Sequence, residues 1–75
     1  MPLFRLRTHD GAEQTVQANR VVSDATATRF ERPSAGAWAA VLEVPTDDVS
    51  AIARRITEFD GRWTWITERP QDVVR

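Results

Sequence analysis

The chain contains no cysteine, which excludes disulfide staples and thiolate zinc sites together. It has no lysine either, so all ten basic residues are arginine. Arginine is the better residue for bidentate and stacked contacts. Its only histidine, His9, cannot build an imidazole metal cluster, and the glycines at 11, 36 and 61 are too scattered for a phosphate loop. No metal, cofactor or small-molecule substrate is expected. The longest apolar run, Ala35 to Leu42, is far short of the roughly 20 residues that cross a bilayer. No membrane partner is expected, and the opening MPLFRLRTHD shows no apolar signal core. The expected location is therefore the cytoplasm.

An excess of one charge is also missing. Eleven acids face ten arginines for a net charge of −1, and neither half of the chain forms a basic tail. Nucleic-acid binders usually carry a positive excess, because neutralising phosphates dominates their affinity. Nucleic acid is accordingly the weaker partner class here. With 75 residues, a domain of this size buries only about 60% of its unfolded surface. Large apolar side chains are thus claimed first by the core, with Phe4, Leu6, Val16, Phe30, Trp38, Leu42, Ile52 and Ile56 as its expected members.

Apolar alternation places the elements. Phe4, Leu6 and Thr8 alternate with Arg5, Arg7 and His9, and Val16 and Ala18 share one parity beyond the turn. A two-residue Asp10-Gly11 loop would put the apolar groups of the two strands on opposite faces. A three-residue loop, His9-Asp10-Gly11, instead pairs Phe4 with Val16 and Leu6 with Gln14, and places glycine where a left-handed residue is needed. Arg5 and Arg7 then face outward.

A further strand is predicted over Thr26 to Arg32 after a Ser23-Asp24 turn, and PSAG, residues 33–36, reads as a connecting loop. AWAAVLEV is apolar on both faces. It reads as a central strand under a helical lid.

In PTDDVSAIARRITEFDG, Val49, Ile52, Ala53, Ile56 and Phe59 recur at helical spacing. Thr46 suits an N-cap, Asp47 and Asp48 the first turn, Arg54 and Arg55 the last part, and Gly61 the C-cap. These signals predict a helix from Thr46 to Phe59. A rival hairpin competes with it, because FDG repeats the Asp-Gly pattern of the first turn and would set Glu58 opposite Arg62.

Either way, RWTWIT is a strand with Trp63, Trp65 and Thr67 on one face and Arg62, Thr64, Ile66 and Glu68 on the other. The indoles are then either core or an interface in which tryptophan and arginine are enriched.

Catalytic constellations are lacking. His9 with Asp10 sits on a tight turn, Asp47 and Asp48 suit a helix start, and Ser23, Ser34 and Ser50 lie in no nucleophile elbow. The expected fold is α+β, a small antiparallel sheet in the order β-β-β-β-α-β with one amphipathic helix packed on it. The alternative is a mostly-β small barrel with a C-terminal hairpin. Residues 1–69 form the domain, and 70–75 are expected to fray because Pro70 blocks further pairing. The expected function is non-enzymatic: a protein-protein interaction module, self-associating through a sheet face or edge, whose contact surface holds Arg5, Arg7, Arg62, Trp63 and Trp65.

Overall fold

Alternation in Phe4, Leu6 and Val16 builds the first hairpin, and its register follows from the turn. The computed structural model describes residues 2–72 of the chain. Strand β1 (Leu3–Thr8) pairs antiparallel with β2 (Glu13–Gln17), Phe4 opposite Val16 and Leu6 opposite Gln14. Thr8 N–H donates to Ala12 O at 3.0 Å, which closes a loop of His9, Asp10 and Gly11. Gly11 adopts φ 90°, a left-handed conformation without steric cost for glycine. The longer of the two loops considered is the one that forms.

The predicted helix does not form. Residues Thr46–Asp48 make a single 3-10 turn, and Val49–Thr57 is strand β6. Ile52 and Ile56 are four apart, a spacing that satisfies the helical period and the strand period equally. What separates the two is β-branching at Val49, Ile52, Ile56 and Thr57, which favours a strand, together with the Asp-Gly turn that follows. Phe59, the last member of the supposed apolar stripe, is fully exposed at that turn. Glu58 N–H donates to Arg62 O at 2.6 Å, and Gly61 has φ 87°. The hairpin of β6 with β7 (Trp63–Thr67) thus repeats the loop geometry of the first. The α+β assignment is therefore replaced by the mostly-β alternative with its C-terminal hairpin.

Two four-stranded sheets result, one ordered β2-β1-β6-β7 and the other β5-β4-β3-β8. The second holds β3 (Arg20–Ser23), which the alternation did not reveal, with β4 (Ala27–Ser34), β5 (Ala37–Pro45) and the two-residue β8 (Gln71–Asp72). Gln71 and Asp72 pair in parallel with Val22 and Ser23, so the tail expected to fray begins with a paired segment. The rest of that expectation, residues 73–75, lies outside the described residues. The β4–β5 turn is tighter than PSAG suggested. It uses only Ala35 and Gly36, with φ 51° and 81°, as a two-residue primed hairpin turn requires.

β5 is not central. It is the edge of its sheet, and Trp38 on it is 46% exposed rather than in the core. The core consists of Phe4, Leu6, Val16, Ala18, Val21, Phe30 and Ile52, with Leu42, Val44 and Val49 packed against it. Ile56 is half-buried. At one end, the Thr28 hydroxyl, fully buried, lies 3.0 Å from that of Ser23 and 3.1 Å from that of Thr46. Thr46 donates in turn to Asp24 O at 2.7 Å. The intended N-cap residue thus ties the 3-10 turn to the β3–β4 turn, and these paired hydroxyls avoid the cost of a bare buried polar group.

Candidate functional site

Cross-strand partners share a face, so the registers assign each face of the first sheet. Val16, Phe4, Arg54 and Ile66 form one row across it. Phe4 and Val16 are buried, so this row looks toward the core. The next row, Thr15, Arg5, Ala53 and Thr67, therefore looks outward, as do the pairs Arg55 with Trp65 and Thr57 with Trp63.

Four of the five residues singled out from the sequence meet on this outer face. The Arg5 guanidinium lies over Trp65, 4.7 Å from the ring centroid. Trp65 meets Trp63 edge to face at 6.2 Å, with ring planes at 86°. Arg55, from β6, lies 5.5 Å over Trp63. Arg5, Trp65, Trp63 and Arg55 thus form one continuous ladder, in which each cation contact contributes about 0.5–1 kcal/mol at an exposed site. Trp63 remains 58% exposed even so. Trp65 is half-buried.

Arg7 shares the face at its far end and is held by Glu13. Its Nε and Nη2 donate to Glu13 Oε2 at 3.1 and 2.7 Å. The Arg7 hydrogen bond, with Arg5 adding at longer range, holds the Glu13 carboxyl below its ordinary range. Arg62 does not join the group. It belongs to the opposite parity, at the hairpin tip, with Nε 3.7 Å from Asp60 Oδ2. Arg55 takes its place on the outer face. The helical reading hid that role, since it put Arg55 on a helix rather than on a strand beside β7.

Between Arg5, Arg7 and Thr67, Ala51 and Ala53 floor a hollow of about 140 Å³. Cofactor pockets usually exceed about 300 Å³. A larger open depression of about 430 Å³ lies by Asp24, Thr26, Arg29 and Glu43. There Arg29 Nε donates to Glu43 Oε2 at 2.7 Å. Among the described residues, no group of three or more histidine, aspartate or glutamate side chains is placed to hold a metal ion. No helix among them is long and apolar enough to cross a membrane.

β7 adds a second property. Among the described residues it ends its sheet, so one side of its backbone is left open by them. Glu58 with Arg62 and Ile52 with Glu68 are hydrogen-bonded positions of the β6–β7 ladder. Antiparallel pairing alternates, so Trp63, Trp65 and Thr67 turn their N–H and C=O groups to the open edge. The residues that supply the outer aromatic surface therefore also supply the unpaired backbone. Comparison with protein-family models, curated proteins and solved structures finds no match.

Proposed function

We propose that this protein is a small non-enzymatic module that binds protein through the outer face of its first sheet and the adjoining β7 edge. The observation that carries this reading is the ladder Arg5, Trp65, Trp63, Arg55, which stands exposed beside an open strand. Tryptophan and arginine are the side chains most enriched at interface hot spots, because both bring large contact area with a polar handle. The ladder also holds these groups in place before any partner arrives. That lowers the entropy lost on binding.

The rival reading is nucleic-acid binding, favoured by the gathering of Arg5, Arg7 and Arg55 around two indoles. Against it stand the net charge of −1, the Arg7–Glu13 ion pair and guanidinium groups already lying over both indole faces. Base stacking would have to displace them. A cysteine-free chain fits the reducing cytoplasm.

Titration with single-stranded and duplex oligonucleotides at low salt separates the readings. Absence of binding, with a solution mass that rises with protein concentration, supports the protein-binding module. Oligonucleotide binding that weakens steeply with salt and disappears in W63A overturns it.

A further inference from the structure

Among the described residues four strands end the two sheets, and three of them are guarded against pairing. β2 reads EQTVQ, almost wholly polar. β5 is kinked by a bulge opposite Phe30 and Glu31. β8 has only two residues among those described. Such features are the usual protections of a sheet edge. β7 has none of them: WTWIT holds no charge, proline or glycine, and its register with β6 is unbroken.

Charges flank it on both sides, with Arg62 before the strand and Glu68 after it. The strand is therefore electrostatically complementary to its own reverse. We propose that the partner of this edge is a second copy of the chain, joined by antiparallel β7–β7 pairing about a two-fold axis at Trp65. This rests on the reading of the β7 surface as protein-binding and specifies its occupant.

One register satisfies backbone and side chains together. With Trp65 opposite Trp65 of the second copy, Trp63 stands opposite Thr67. All are residues whose N–H and C=O groups face the open edge, so about six backbone hydrogen bonds form across the axis. Arg62 then falls opposite Glu68 of the second copy, twice by symmetry. Both belong to the face that also carries Ile66. Arg62 is 86% exposed at its side chain and pairs with Asp60 at 3.7 Å, while Glu68, 25% exposed, pairs with Arg54 at 3.6 Å, so the new contact exchanges these two long ion pairs for one across the axis. Thr64 meets Ile66 of the second copy at a closely spaced position, covering an isoleucine that is 37% exposed in the single chain. On the outer face the two aromatic ladders become one. The two first sheets merge into a single eight-stranded sheet.

The test exploits the two-fold axis. R62E alone sets carboxylates against each other at both contacts, and E68R alone does the same with guanidinium groups. Each is expected to weaken self-association, measured by sedimentation, about tenfold. An equimolar mixture of the two variants makes both contacts complementary and is expected to restore association to the wild-type level. Each variant is checked for folding separately by circular dichroism. A cross-linking arm reads the register directly, because the chain has no cysteine of its own. T64C mixed with I66C should form mixed disulfide dimers on oxidation, since Cα atoms at a non-hydrogen-bonded pair stand about 4.5 Å apart. T64C alone should form few. A wild-type chain that stays monomeric to millimolar concentration overturns the β7 pairing. So does a mixture that associates no better than its components. A monomeric wild type removes self-association as support for the protein-binding reading, which is itself overturned only if oligonucleotides bind as described above.

Discussion

Phe4 and Phe30 meet edge to face with ring centroids 5.8 Å apart and planes at 63°. One ring comes from each sheet, and both are almost wholly buried. This contact joins the two layers at the centre of a thin core. Phe30→Ala should cost about 3–5 kcal/mol, comparable with the whole stability of a domain this size, on the order of 5 kcal/mol. The variant should be largely unfolded at room temperature by circular dichroism. Phe30→Leu keeps most of the volume and should lose only about 1 kcal/mol in a urea titration.

The strand at 49–57 makes an opposite prediction for Phe59. On a packed helix its removal would cost about 3 kcal/mol or more. At the tip of a hairpin, fully exposed, Phe59→Ser should change stability by less than about 0.5 kcal/mol. Gly61→Ala, two residues on, should cost about 1 kcal/mol or more, because φ 87° is a left-handed conformation that a Cβ disfavours. The denaturant midpoint of Phe59→Ser decides between strand and helix without a new structure, since a helix C-cap and this hairpin both need a left-handed Gly61.

The Arg5–Trp65 contact predicts a spectroscopic change. Arg5→Ala should lose about 0.5–1 kcal/mol of stability and leave Trp65 more open to acrylamide. The measurement belongs in a Trp38→Phe background, so that only Trp63 and Trp65 report. Unchanged quenching would show that the guanidinium does not shield the ring in solution.

Acid should loosen the first hairpin. Its Asp10 carboxylate accepts hydrogen bonds from the Thr8 hydroxyl and, at 3.0 Å, from Ala12 N–H. The Thr8 bond first, then the Ala12 bond, holds the Asp10 pKa below its ordinary value. Glu13 is lowered likewise by Arg7. A lowered folded-state pKa adds stability that is complete above the unfolded-state value and is lost as pH falls through the folded one. Amide protection factors in β1 and β2, taken relative to the intrinsic exchange rate at each pH, should therefore fall below about pH 4, the ordinary carboxylate range. In Asp10→Asn together with Glu13→Gln this acid dependence should largely vanish.

The amino-acid sequence by itself determined what is local. A three-residue loop with glycine third, set between strands of matched parity, leaves one sensible register. Phe4 opposite Val16 follows from those few residues. The pairing of Arg7 with Glu13 and the common face of Trp63, Trp65 and Thr67 rest on the same period-two geometry.

Only the tertiary structure decided what depends on neighbours distant along the chain. Whether Val49–Thr57 became helix or strand was not settled by Ile52 and Ile56, whose spacing fits both periods. It turned on the free edge of β1, whose unpaired groups take up β6 from Phe4 through Thr8. Strand order placed the apolar β5 at an edge and left Trp38 half in solvent. It also set Arg5 near Trp65 with β6 between their strands. Such order is an outcome of many weak contacts competing at once, and no short stretch of residues encodes it.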